Sequence, residues 1–228
     1  MSTSILISTP TETPSNTLTV TGPMRPRYDE ILTQEAIEFI GELQQRFAGQ
    51  RHDRLAQRMQ VRYDLGNGRD LHFLPETASI REDASWRVAG AGPGLVDRRV
   101  EITGPCDPKM TINALNSGAN VWLADLEDAT SPTWGNIVEG QLSLYDAIRG
   151  QLEHTSEEGK SYRVTAERTP TIVMRPRGWH LVEKHIEHVD ARGRRLAASA
   201  SLVDFGLYVF HNAHELIARG AGTGLAGG

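Results

Sequence analysis

The run Thr171-Ile172-Val173-Met174 reads as a short buried strand, and it leads directly into Arg175-Pro176-Arg177-Gly178-Trp179-His180. Two guanidinium groups at the carboxyl end of a strand stand where α/β sheets place their chemistry. Arg175 and Arg177 are two residues apart, so a continuing strand would set them on one face. Such a pair suits a small anion, a carboxylate or a developing enolate oxygen. The plain structural alternative is two surface arginines at a strand end. A second charged group, Asp125-Leu126-Glu127-Asp128, follows another apolar run, Val121-Trp122-Leu123-Ala124. Its carboxylates could ligate a hard cation such as Mg²⁺, or could pair with nearby arginines. An arginine beside carboxylates can polarise a carbonyl and stabilise an enolate. It does not serve as a simple base, because its pKa lies above ~12.

Other reactive residue types carry less. His180 and His185 are five apart, which is not the i, i+4 spacing of a helical zinc pair, and His180 reads as a loop residue. His211 falls in a helical stretch and reads as structural. Cys106 follows Gly104-Pro105 at a strand end, where a nucleophile could sit, but no histidine adjoins it and a small buried thiol is the simpler reading.

The elements that must position these groups follow from the pattern of apolar residues. Thr33 is a suitable N-cap, with Ala36, Ile40, Leu43 and Phe47 at helical spacing. A second helix is expected over 51–65, stopped by Gly66-Asn67-Gly68. Residues 69–96 look irregular, so 27–95 reads as a small helical domain. From Arg98 the pattern changes to strand 100–103, helix 108–117, strand 121–124, helix 134–149, strand 171–174 and helix 202–219, with a hairpin excursion near Glu158-Gly159. Alternating strands and helices predict parallel strands with right-handed crossovers. No Gly-x-Gly-x-x-Gly follows the first strand, and charged groups collect at successive strand ends, so a TIM barrel fits better than a dinucleotide fold. A full barrel takes about 250 residues, and those after 98 suffice for roughly three or four of its eight units. The expected fold is therefore α/β: a helical clasp, then the first βα units of an incomplete barrel over 96–228.

Composition sets outer limits. Of 228 residues, 24 are Lys or Arg and 29 Asp or Glu, a net charge of −5 that does not suggest a nucleic-acid surface. The densest basic run, Arg192-Gly193-Arg194-Arg195, reads as a solvated loop. The single cysteine excludes an internal disulfide and agrees with a reducing compartment. No apolar run approaches the ~20 residues of a membrane span. Residues 1–26, rich in Ser, Thr and Pro, lack the pattern of a signal peptide and read as a disordered tail, with a cytoplasmic location as the default.

Longer motifs carry a resemblance. Arg98-Arg99-Val100-Glu101-Ile102-Thr103-Gly104-Pro105, Ala124-Asp125-Leu126-Glu127-Asp128, Ser131-Pro132-Thr133-Trp134, Arg175-Pro176-Arg177-Gly178-Trp179-His180-Leu181 and Asp204-Phe205-Gly206-Leu207-Tyr208 resemble the A-type malate synthases. The likeness runs from about Arg27 to Gly222. It implies a TIM barrel between a helical clasp and a helical plug. It also implies condensation of glyoxylate with acetyl-CoA and water to malate and CoA, with Mg²⁺. Arg175 then corresponds to the catalytic arginine that holds glyoxylate and the enolate oxygen while another residue removes the methyl proton. Glu127, Asp128 and Arg177 are expected to line the glyoxylate pocket.

Two departures qualify the likeness. Ala129 stands where the family commonly has Ser. The family pattern also stops near Gly222, and the expectation is a truncated or frame-shifted chain lacking the metal carboxylates, the catalytic Asp and the plug. The competing readings are a non-catalytic remnant, or a related barrel lyase acting on CoA thioesters.

Overall fold

The structure is a computed structural model that describes residues 18–190 and 192–219. Strand β1 (Thr19–Val20) is followed by helices α1 (Tyr28–Ile31) and α2 (Gln34–Gly66), a 3₁₀ turn over Pro75–Thr77, and helix α3 (Ala78–Glu82). Then come β2 (Glu101–Gly104), α4 (Pro108–Leu115), β3 (Val121–Asp125), α5 (Trp134–Ile148), β4 (Glu153–Thr155), β5 (Ser161–Arg163) and β6 (Thr171–Arg175). A hairpin of β7 (Val182–Val189) and β8 (Arg195–Ser199) leads into α6 (Ala200–Ala218).

The expected parallel unit is present. Strands β2, β3 and β6 form one parallel sheet in the order β2-β3-β6, with helical crossovers between them. Local chemistry starts each helix: the side chains of Asp107 and Thr133 cap α4 and α5 by accepting from Met110 N and Asn136 N. Alternation along the strands sorts the two faces. Trp122, Ala124 and Met174 enter a core with Leu115, Ile137, Leu144, Ile148 and Tyr208 from the helices. Thr103, Val121, Leu123 and Val173 lie on the opposite face, beside Leu95 and Arg98. The three strands do not close into a barrel. The excursion after α5 is the antiparallel β4–β5 hairpin, turning at Gly159 with a φ of 82°.

Three expectations change. The helices expected over 33–47 and 51–65 are one continuous α2 of 33 residues. Gly49, the glycine between the two expected helices, costs about 1 kcal/mol against alanine, too little to end a helix. The tail expected over 1–26 does not extend that far. Leu18 is buried, Thr19 and Val20 pair with Glu187 and Ile186, and Trp134 Nε1 donates to Pro23 O at 2.9 Å. Residues 1–17, Ala191 and the end from Gly220, where a helix cap was expected, lie outside the described residues. Finally, the segment after Trp179 forms a hairpin that pairs with β1 in an antiparallel sheet ordered β1-β7-β8, which was not foreseen. In the run Arg192-Gly193-Arg194-Arg195, the first three residues form the turn and Arg195 begins β8.

This second sheet builds its own core. Ile186 and Ala198 meet Tyr28, Ile31, Ile37 and Ile40 from α1 and α2, Trp134 and Val138 from α5, and Val203 and Leu207 from α6. Helix α5 thus has buried faces toward both cores, and it fixes the parallel sheet relative to the hairpin.

Candidate active site

Strands β3 and β6 run in register, so Asp125 lies beside Arg175 at the carboxyl edge of the sheet. Both occupy the face turned away from the helices, and their side chains meet as a fork: Arg175 Nε to Asp125 Oδ1 at 2.9 Å and Nη2 to Oδ2 at 2.6 Å. The Asp125 carboxylate also accepts from the backbone N–H groups of Glu127, Asp128 and Ala129, at 2.8 to 3.2 Å. Burial pushes Asp125 upward, but the Arg175 and backbone hydrogen bonds outweigh it and hold the group below the ordinary aspartate range. One carboxylate therefore anchors the arginine and shapes the acidic loop.

That loop returns to the arginine. Asp128 Oδ2 lies 2.9 Å from Arg175 Nη2, and Glu127 Oε2 lies 3.7 Å from Nε. The Asp125 hydrogen bond, followed by attraction to Asp125, Asp128 and Glu127, raises Arg175 above its usual value despite partial burial. The Arg175 side chain is 23% exposed, and its Nη1 has no hydrogen-bond partner among the described residues. Two N–H donors on a fixed, partly exposed arginine are thus available to an oxygen.

Arg177 has a different place from the one expected. Strand β6 ends at Arg175, so the two arginines do not continue along one face. The Arg177 side chain is 2% exposed and lies between two carboxylates: Nε and Nη2 donate to Asp204 at 2.9 and 2.8 Å, and Nη1 donates to Glu183 at 2.8 Å. Its backbone N–H also donates to Asp204 Oδ2 at 2.9 Å. Burial raises Asp204 above the ordinary aspartate range, and attraction to and hydrogen bonds from Arg177 oppose that rise without cancelling it. Glu183 is likewise raised by burial, but attraction to Arg177 and the backbone N–H of His185 bring it below its ordinary range. The contacts of Arg177 are structural: it ties the turn after Arg175 to β7 and α6.

The remaining candidates are accounted for by their surroundings. His185 Nδ1 lies 2.8 Å from Glu183 Oε1, and its ring faces Trp134. His211 Nε2 lies 2.7 Å from Ile31 O, and burial lowers its pKa, as a structural histidine requires. His180 is exposed at the rim of a cleft beside α2. Cys106 is fully buried, and burial pushes its thiol far from the reactive thiolate, in keeping with the packing role expected of it.

Sequence reasoning missed the structural roles of Glu183 and Asp204 in holding Arg177, and it missed Arg51. Arg51 donates to Trp179 O at 2.6 Å and to Leu181 O at 3.2 Å, fixing the segment after the arginines onto α2. An acid in an otherwise apolar helix, Asp204 among Leu202, Val203 and Phe205, was the available signal for a buried partner.

A Mg²⁺ ion would need oxygen ligands that are not already committed. Asp125 is taken by Arg175 and three N–H groups, and no group of three or more His, Cys, Asp or Glu residues is arranged to hold a metal among the described residues. The residues present do not fit the ion by themselves.

Parallel βα units with a fixed cation at the carboxyl edge define an α/β protein. Comparison with known proteins gives the family. The N-terminal domain of malate synthase matches residues 16–79, and the malate synthase TIM barrel domain matches residues 171–225. The chain is 50% identical to a malate synthase of Streptomyces clavuligerus over 211 residues, 92% of this chain and 38% of that protein. It is 51% identical to one of Myxococcus xanthus over 203 residues, 89% of this chain and 36% of the relative. Malate synthase A of Escherichia coli is 44% identical over 210 residues, or 92% and 38%. The chain belongs to the malate synthase family and spans somewhat more than a third of the length of these relatives.

Proposed function

We propose that this chain carries the oxygen-holding part of a malate synthase site, in which acetyl-CoA and glyoxylate, with water, give malate and CoA. The observation that carries this reading is the in-register Asp125–Arg175 pair with Arg175 Nη1 unengaged among the described residues. Glyoxylate presents a carboxylate and an aldehyde oxygen, and the enolate of acetyl-CoA presents a third oxygen that gains charge as the methyl proton leaves. A guanidinium already aligned by Asp125 can meet such an oxygen without reorganising, which favours the transition state, where the enolate oxygen gains charge, over the ground state. Arg175 stays protonated throughout, so removal of the methyl proton falls to another group. Glu127 and Asp128 act at this site by holding Arg175 rather than by contacting an anion directly, since like charges repel. The Mg²⁺ implied by the resemblance finds no ligand set among the described residues, and no step is drawn through it.

The test is glyoxylate binding to the 228-residue chain by calorimetry. Arg175→Lys keeps the charge and loses the planar fork, so affinity is expected to fall about tenfold or more. Equal affinity in parent and variant would remove Arg175 from this role.

A further inference from the structure

The turn that follows Arg175 contains a glycine that its backbone does not require. Gly178 is buried and its φ is not positive, so its conformation is open to any amino acid. Space is the reason for a glycine here. A Cβ added at this position would lie 2.5 Å from Glu127 Oε1, 2.9 Å from His180 Cε1 and 3.0 Å from His180 Nδ1. The Glu127 carboxylate therefore rests over the bare Cα of Gly178, with no room for a methyl group between them. All three neighbouring atoms belong to side chains. An alanine would displace the carboxylate and the imidazole before it disturbed the turn, where Gly178 O accepts from Leu181 N at 3.0 Å. Glu127 has little else to fix it. Its carboxylate accepts no hydrogen bond among the described residues, and its ion contact with Arg175 Nε is long, at 3.7 Å. The Glu127 side chain is 19% exposed against 75% for Asp128, so water screens its charge less.

We propose that Gly178 is a positioning residue for the Arg175 site, its missing side chain seating the Glu127 carboxylate beside the guanidinium. The functional consequence rests on Arg175 being the group that meets the substrate oxygen. Coulomb attraction varies inversely with separation, so the field at a prealigned donor depends on where each nearby charge is held. A methyl group that moves one carboxylate changes what Arg175 presents to an oxygen without touching Arg175.

The test reads Arg175 itself, through the NMR resonance of its Nε–H in the 228-residue chain, assigned by its loss in Arg175→Lys. Glu127→Gln and Gly178→Ala should each shift this resonance. Gly178→Ala added to Glu127→Gln should shift it no further, because the charge that the methyl would move is gone. His180→Ala should leave it in place. A glycine with a structural role alone would act equally in both backgrounds. Additive shifts, an unmoved resonance in Gly178→Ala, or the same shift in His180→Ala overturn the assignment. So does a Gly178→Ala chain that circular dichroism shows to be unfolded, since the methyl would then act on the turn and not on Glu127. Calorimetric affinity for glyoxylate should follow the resonance, with Gly178→Ala matching Glu127→Gln within about twofold. A wider difference overturns the functional role. Absence of glyoxylate binding to the parent would overturn the reading of Arg175, while the resonance still decides whether Gly178 seats Glu127.

Discussion

Asp125 does two jobs at one atom pair. Its carboxylate orients Arg175 and also gathers the N–H groups of residues 127 to 129. Replacing it with Asn keeps the shape and removes the charge, leaving a partly buried guanidinium with a weaker partner. Asp125→Asn should therefore lose roughly 3 kcal/mol at neutral pH in urea denaturation, in the range for a broken buried pair. The pH dependence has a definite sign. Because Asp125 is lowered on folding, its contribution is fully present above the ordinary aspartate value of 3.8 and is lost as pH falls through the lower folded value. The stability difference between parent and variant should shrink in that acidic window and nowhere above it. A difference that stays constant down to about pH 2 would show that the charge of Asp125 is not what stabilises.

At the scale of elements, α2 and α6 cross at Gly206. A Cβ added there would lie 2.7 Å from Ile40 Cγ1 and 3.3 Å from Leu43 Cδ1, so the helices meet only because that position has no side chain. Gly206→Ala should destabilise by about 1–3 kcal/mol through overpacking. At Gly49, on the same long helix, an added Cβ would meet nothing within 4 Å. Gly49→Ala should instead stabilise by up to about 1 kcal/mol, since alanine loses less backbone entropy in a helix. Thermal melts of the two variants should move in opposite directions. The pair also explains what was legible. The Gly66-Asn67-Gly68 stop was visible because local turn chemistry ends α2 there, whereas the continuity of α2 through Gly49 was hidden by a residue that discourages helix without forbidding it.

Across the whole molecule, Arg177 joins parts far apart in the chain. Its partners Glu183 on β7 and Asp204 on α6 hold the segment after the Arg175 strand against the hairpin and the last helix. Arg177→Met would leave two buried carboxylates without a cation and should cost roughly 3–5 kcal/mol. Adding Asp204→Leu should recover part of that loss, because the least tolerable carboxylate goes with it. Failure of the single variant to change the urea midpoint would mean that the network is dispensable.

By itself, the sequence determined the alternating strands and helices, the cap at Thr33, the stop at Gly66-Asn67-Gly68, and the placing of Arg175 and Asp125 at strand ends. Those features rest on local periodicity and turn chemistry, which short windows contain. The tertiary structure alone decided which arginine is available and which is consumed. Arg175 and Arg177 look alike in sequence, but strand register gives the first a neighbouring carboxylate and an open edge, while Asp204 and Glu183 enclose the second. The β7–β8 hairpin was equally hidden. A register shift between Glu183 and Glu187 buries Glu183 and Ile186 three residues apart, and that breaks the two-residue alternation by which a strand is read. Partners distant in the chain, not the residues themselves, separate an arginine that can meet a substrate from one that holds the fold.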